Sequence, residues 1–297
     1  MKKKFYIIFL LLVWSGRLLA QPVAVLDDEG TLVRLSAPAQ RIISLSPHLA
    51  ENVFSAGAGK ALIATVAFSD YPRKARSVAR IGAYNAIDIE RIITLKPDLV
   101  LAWGSGNGTQ LVEQLRGLGL TVFVSEPLKL DDIASLIERL GILAGTTDAA
   151  WPVASLFRQT IEGIKLRHRK KRKVSVFYQI WDAPLMTING NHMISDVIRL
   201  CGGRNVFSEL KVLAPQVSTE AVIQANPEVI IASGAVGEHP EWLKSWLKWR
   251  GVQAVKRKQI YTLEADIIQR QTMRLLMGAT QLCAILENVR KDSARKQ

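Results

Sequence analysis

The chain is poor in the residues that most often announce chemistry. It has two cysteines and four histidines in 297 residues. Two cysteines are too few for a small disulfide scaffold or a cysteine-rich zinc site. The histidines, His48, His168, His192 and His239, form neither an H-x-x-H nor an H-E-x-x-H pair. There is no G-x-S-x-G elbow and no G-x-x-x-x-G-K-[ST] loop, so serine-hydrolase and P-loop chemistry have no signature. Beyond the N-terminus no apolar run reaches the roughly 20 residues of a membrane-spanning helix. Acids are the scarcer charge, 26 Asp and Glu against 39 Lys and Arg, for a formal charge of +13. What is present is ordinary for a folded globular chain: 48% hydrophobic and 22% charged residues. The length allows one large domain or two of about 130–150 residues.

Residues 1–20 combine Lys2-Lys3-Lys4, an apolar stretch from Phe5 to Trp14, and small residues up to Ala20. This predicts a signal peptide cleaved near Ala20. The apolar stretch is too short to cross a bilayer about 30 Å thick. No cysteine stands at the cut, which excludes a lipoprotein. Losing Lys2, Lys3, Lys4 and Arg17 lowers the charge from +13 to +9. In an oxidising compartment Cys201 and Cys283 either pair or remain two isolated core thiols.

The chain repeats itself. Asp88-Ile89-Glu90-Arg91-Ile92-Ile93-Thr94-Leu95-Lys96-Pro97-Asp98 leads into Leu99–Ala102. Ser218-Thr219-Glu220-Ala221-Val222-Ile223-Gln224-Ala225-Asn226-Pro227-Glu228 leads into Val229–Ala232. Each copy has a capping residue, a first-turn Glu, apolar residues at helical spacing, a Pro, an acid and a buried strand. Apolar strands flank both copies, and strands alternate with helical stretches. Two similar α/β lobes with mainly parallel sheets are expected.

Between them, Ala149, Val153, Leu156, Phe157, Thr160 and Ile164 keep helical spacing from Thr146 to about Arg169. A helix of about six turns would join the lobes stiffly over roughly 35 Å. Its end is strongly basic: Lys165, Arg167 and the run Arg169-Lys170-Lys171-Arg172-Lys173. A solvated helix end explains the run, and nucleic-acid or anionic-membrane contact is the other reading. The expected organisation is residues 1–20 signal peptide, 21–145 N-terminal lobe, 146–172 connecting helix, and 173–297 C-terminal lobe.

No nucleophile–base–orienter set is visible, so a binding protein is expected rather than an enzyme, with no catalytic residue. Gly104-Ser105-Gly106-Asn107-Gly108 follows a strand but lacks the G-x-G-x-x-G spacing of a phosphate cradle. Tyr71, Tyr84, Trp103 and Trp181 all lie near the ends of predicted strands. Rings at such places suit a cleft for a large, partly apolar ligand.

These features carry a resemblance. The chain resembles, over residues 34–290, the helical-backbone substrate-binding proteins of ABC importers, and within them the periplasmic cobalamin (vitamin B12) binders. The motifs are R-I-I-S-L-S-P at Arg41–Pro47, S-D-Y-P at Ser69–Pro72, L-K-P-D-L-V-L-A-W at Leu95–Trp103 and L-R-G-L-G at Leu115–Gly119. In the second half they are W-D-A-P-L-M-T at Trp181–Thr187, L-C-G-G-R-N-V-F at Leu200–Phe207 and P-Q-V-S-T-E at Pro215–Glu220. The resemblance implies two Rossmann-like α/β lobes joined by a single long rigid helix, with the ligand cleft between them. It implies that Cys201 and Cys283 pair. It implies corrinoid contacts from Tyr71, Tyr84, Trp103, Trp181, Asp266 and Arg270, and docking onto a permease dimer through Glu90 and Glu220. Tyr84, Ala214 and Ile267 stand where the pattern has Trp, which leaves less stacking surface. The cobalt would be held by the corrin, so neither a protein-bound metal nor a resident cofactor is expected. Action as a monomer, without nucleic acid, is also expected. The alternative ligands are haem, with Tyr71 or Tyr84 as axial candidates, and a ferric siderophore, for which Arg270 and Arg274 are the available cations.

Overall fold

A computed structural model describes residues 21–234 and 241–295, except for the side chains of residues 241 and 242. The expected signal peptide at 1–20, and His239, lie outside the described residues. A hairpin of β1 (Val23–Leu26) and β2 (Leu32–Leu35) comes first. Then follow β3 (Ile42–Ser44), α1 (Pro47–Ser55), β4 (Leu62–Thr65) and β5 (Ala79–Arg80). A small hairpin, β6 (Gly82–Ala83) and β7 (Ala86–Ile87), precedes α2 (Ile89–Leu95) and β8 (Leu99–Trp103). The first lobe ends with α3 (Gly104–Asn107), α4 (Thr109–Gly117), β9 (Val122–Ser125) and α5 (Leu130–Ala144). Its main sheet has the order β5-β4-β3-β8-β9 and is parallel throughout.

The connector is α6 (Thr147–His168). After it come β10 (Val174–Gln179), α7 (Met193–Leu200), β11 (Gly203–Asn205) and α8 (Thr219–Ala225). β12 (Val229–Gly234), a 3-10 segment at Glu241–Lys248, α9 (Gln253–Lys256) and β13 (Ile260–Glu264) follow. α10 (Ala265–Ile268) and α11 (Leu275–Arg295) close the described chain. The second sheet, β11-β10-β12-β13, is also parallel. Helices cover both faces, so Leu99–Ala102 and Val229–Ala232 are buried at every position.

The repeated segments fold alike. Asp88 caps α2 by accepting from the Arg91 amide at 2.9 Å, and Ser218 caps α8 by accepting from Ala221 at 3.1 Å. Both seven-residue helices end on a left-handed residue, Lys96 (φ 45°) and Asn226 (φ 44°). The acid after each Pro ties the new strand to its neighbour. Asp98 accepts from the Gln40 and Arg41 amides at 2.8 and 2.9 Å, and Glu228 accepts from the Ser175 amide at 3.0 Å. The shared Asp or Glu is therefore the clamp that aligns β8 on β3 and β12 on β10.

One apolar cluster runs through both lobes. It holds Leu49 and Phe123 from the first, Phe157 from α6, and Tyr178, Ile198 and Leu286 from the second. Cys201, at the end of α7, is disulfide-bonded to Cys283 in α11, with Cα atoms 4.7 Å apart. The bond closes a separation of 82 residues. In the chain-entropy picture such a closure stabilises by roughly 4–5 kcal/mol.

Candidate ligand-binding cleft

Parallel strands put all their carboxyl ends on one edge, where α/β sheets bind ligands. Five of the six predicted contact residues lie at or after such an end: Tyr71 after β4, Trp103 at the end of β8, Trp181 after β10, and Asp266 and Arg270 after β13. Tyr84 joins them from the turn between β6 and β7.

The first-lobe wall is built on Asn107. Its amide nitrogen donates to the Leu45 carbonyl at 3.1 Å and the Tyr84 carbonyl at 2.8 Å, and its oxygen accepts from the Trp103 amide at 2.7 Å. Three segments are thus fixed by one side chain. The rings of Tyr84 and Trp103 lie 6.1 Å apart. Gly106 packs directly on the Trp103 indole, where a Cβ would come within 1.8 Å of it. The glycine-rich stretch therefore forms α3 and supports an aromatic ring; it is not an open anion cradle.

His48 lies behind Trp103, edge-on at 5.2 Å. Its Nδ1 is 3.1 Å from Ser46 Oγ. Burial, reinforced by the Arg270 charge, lowers its pKa from 6.5 to about 3, so the ring is neutral at ordinary pH.

One turn further along α1, Glu51 is almost fully buried. It receives Arg270 Nη1 at 2.7 Å, and Arg274 through Nη2 at 2.6 Å and Nε at 3.0 Å. Arg270 also reaches the Phe68 carbonyl at 3.3 Å and Asp266 at 2.9 Å, with Asp70 at 3.6 Å. The Arg274 guanidinium stacks 4.3 Å above the Tyr71 ring. Burial alone would lower the Arg274 pKa; Glu51 and Asp266 more than offset this and hold it above its usual value. Asn52 adds a 2.8 Å bond to the Gln271 carbonyl. These groups join α1 and the loop after β4 to the segment between α10 and α11. Asp266 and Arg270 thus belong to an ion-pair cluster between the lobes.

Trp181 stands apart from the other rings. Its indole is 61% exposed and donates to the Ala183 carbonyl at 3.1 Å. Tyr71 and Tyr84 are 47% and 43% exposed, so these aromatic faces line an open surface. An interlobe hollow of about 790 Å³ lies elsewhere, between Leu128–Asp131, Ile161 and Lys165 of α6, and Asn191–Leu200. None of the expected contact residues lines it. The aromatic surface has the chemistry for a broad ligand, whereas that hollow is a groove beside the connector. Among the described residues no group of three or more His, Cys, Asp or Glu is placed to hold a metal.

Sequence spacing did not single out Glu51 or Asn107. The available signal was the polar pair Glu51-Asn52 inside the otherwise apolar Leu49–Val53 turn, positions that burial tolerates only with partners. Glu90 and Glu220 are exposed in the first turns of α2 and α8, above the buried Ile92 and Val222.

Comparison with known proteins agrees with this architecture. The family described as periplasmic binding protein matches residues 42–267. The vitamin B12-binding protein of Vibrio campbellii is 38% identical over 257 residues, covering 86% of this chain and 92% of its own. That of Yersinia pestis is 36% identical over 258 residues, covering 86% and 90%. The crystal structure of the periplasmic vitamin B12 binding protein of Vibrio cholerae superposes with a TM-score of 0.78 at 37% identity, over 86% of this chain and 99% of that one. A periplasmic heme-binding protein from Roseiflexus, at 20% identity and a TM-score of 0.74 over 84% and 99%, shares the fold alone. With a family match over most of its length and relatives at this identity, the chain belongs to the periplasmic binding protein family, as a two-lobed, helical-backbone member.

Proposed function

We propose that this protein binds cobalamin or a related corrinoid in the periplasm and delivers it to the membrane permease of an ABC importer. The observation that carries this is the 38% identity, over 86% of the chain, to a vitamin B12-binding protein. The cleft supports it. A corrin has broad apolar faces and an amide rim, and it needs flat packing with hydrogen bonding at its edge. Tyr71, Tyr84, Trp103 and Trp181 supply faces; Asp266 and Arg270 supply edge partners once Arg270 turns from Glu51 and Asp266 from its arginines. Glu90 and Glu220, exposed at matching positions of the two repeats, make this receptor pseudo-symmetric and would engage the two subunits of a symmetric permease dimer. No protein ligand to cobalt is required, since the corrin nitrogens already enclose it.

Calorimetric titration of the purified protein with cyanocobalamin, cobinamide and haem tests the assignment. Saturable cobalamin binding is expected. Trp103→Ala should weaken it by about 1–3 kcal/mol, the usual loss for an aromatic anchor. Haem binding through a tyrosinate, with no response to either corrinoid at tens of micromolar, would replace this reading by the haem alternative.

A further inference from the structure

The basic run at the end of α6 is not an isolated helix end. Lys173 enters β10, Arg204 lies in β11 opposite Ser175, and Lys258 precedes β13. The amino ends of the second sheet's parallel strands lie on one edge, so these cations share the face away from the cleft. α11 brings its own basic end to the same face. Arg290 Nε donates to the Arg172 carbonyl at 2.9 Å, and both Arg172 and Arg257 reach Ser293 Oγ, at 3.3 and 2.8 Å. Of the acids here, Glu228 pairs with Arg172 and Glu287 with Lys171 and Arg290, and Asp292 on α11 acts on the Tyr261 hydroxyl. Arg167, Arg169, Lys170, Lys173, Arg204 and Lys291 are exposed, with no acid paired to them among the described residues. A recess of about 360 Å³ on this surface is lined by Arg172, Arg257, Arg290 and Ser293, with the Glu228 carboxylate, already paired with Arg172, also in its wall.

We infer that the outer end of the second lobe is a docking surface for an anionic phospholipid membrane. The surface carries cations from several elements at no fixed spacing, which fits the smeared charge of a lipid leaflet. Leu166, 52% exposed, stands between Lys165 and Arg167 and offers the interface one apolar side chain. Among the described residues no exposed aromatic ring stands beside these cations to stack a nucleic-acid base. Such contact would hold the receptor near the bilayer between docking events. It depends neither on which ligand the cleft takes nor on the corrinoid assignment.

Sedimentation with vesicles of equal parts phosphatidylglycerol and phosphatidylethanolamine, against phosphatidylcholine vesicles, tests this. The wild-type protein should partition onto the anionic vesicles at low salt and leave them as salt rises. Replacing Arg167, Arg169, Lys170 and Lys173 by Gln should lower the partition coefficient at least about 100-fold, since each cation near such a surface contributes about 1 kcal/mol. Replacing Arg34, Lys60, Lys74 and Arg91 by Gln removes the same charge from the first lobe and should change it little. The swap Arg167→Lys with Arg169→Lys should retain binding, which separates charge from folding. Equal losses from both neutralised sets, no wild-type binding to anionic vesicles, or tighter binding to a DNA duplex than to the vesicles would each overturn the inference.

Discussion

His48 is a buried imidazole whose Nε2 has no hydrogen-bond partner among the described residues, and its charge state follows from that burial. Its pKa lies at about 3 when folded, against 6.5 in an unfolded chain. The folded state therefore binds fewer protons between these values, and stability rises with pH through that window. Above pH 6.5 the full benefit of the neutral ring is present; it is lost progressively as pH falls towards 3. Burial likewise lowers His192 to about 4, and its Nδ1 accepts from the Ile194 amide, so it acts in the same direction. Urea midpoints at pH 7 and pH 4.5 should differ by an amount equivalent to about 2–3 kcal/mol from His48. The variant His48→Gln should show a flatter dependence, and an unchanged slope would mean the imidazole does not titrate this way. Glu51 poses the opposite problem, a buried charge held by two arginines. Glu51→Ala leaves Arg270 and Arg274 facing each other without their shared anion. A loss of about 2–4 kcal/mol is expected, below the fully buried case because both arginines retain some solvent contact. Thermal unfolding checks it, and a melting point matching wild type would show that the cluster contributes nothing to stability.

At the scale of elements, the repeat was legible because each signal is local. A cap, a first-turn Glu, helical spacing, a Pro and a buried strand all lie within fifteen consecutive residues, and the structure places α2–β8 and α8–β12 there. The connector was legible for the same reason, from its helical period. The Glu51 cluster was not, because its partners lie 219 and 223 positions away and no spacing rule reaches that far. The disulfide was only half legible: composition and export made pairing plausible, but only the fold brings α7 beside α11. Within the repeat, the two acids divide the labour. Asp98→Ala removes the acceptor of two backbone amides and should destabilise by about 1–2 kcal/mol in urea unfolding. Glu90 and Glu220, by contrast, make no ion pair among the described residues, so reversing both to Lys should leave the urea midpoint near wild type. That double reversal should also leave cobalamin affinity unchanged while abolishing uptake in a transport assay, because exposed charges govern docking. Wild-type uptake by the double variant would remove the docking role.

For the whole molecule, the question is how far the lobes move when a ligand enters. α6 is a continuous 22-residue helix, and its buried residues, among them Ala150, Ala154, Phe157 and Ile164, sit in a core shared with both lobes. Bending there would break packed contacts on both sides, and close-packed interiors resist such deformation. Hinged receptors differ, because extended strands absorb large backbone rotations. The Glu51 cluster adds a second tie, joining α1 to the segment before α11 across the cleft. Two ties at separate places restrict rotation more than one, since a motion that spares the helix must strain the ion pairs. Ligand entry should therefore require side-chain and loop adjustment around Tyr71, Asp266 and Arg270, with little lobe rotation. Small-angle scattering with and without saturating cyanocobalamin should show a radius of gyration changed by less than about 1 Å. Glu51→Ala removes one tie, so its unliganded form should be the more open one and should contract more on binding. A contraction of several ångströms in the wild-type protein would show that neither the helix nor the ion pairs set the lobe angle.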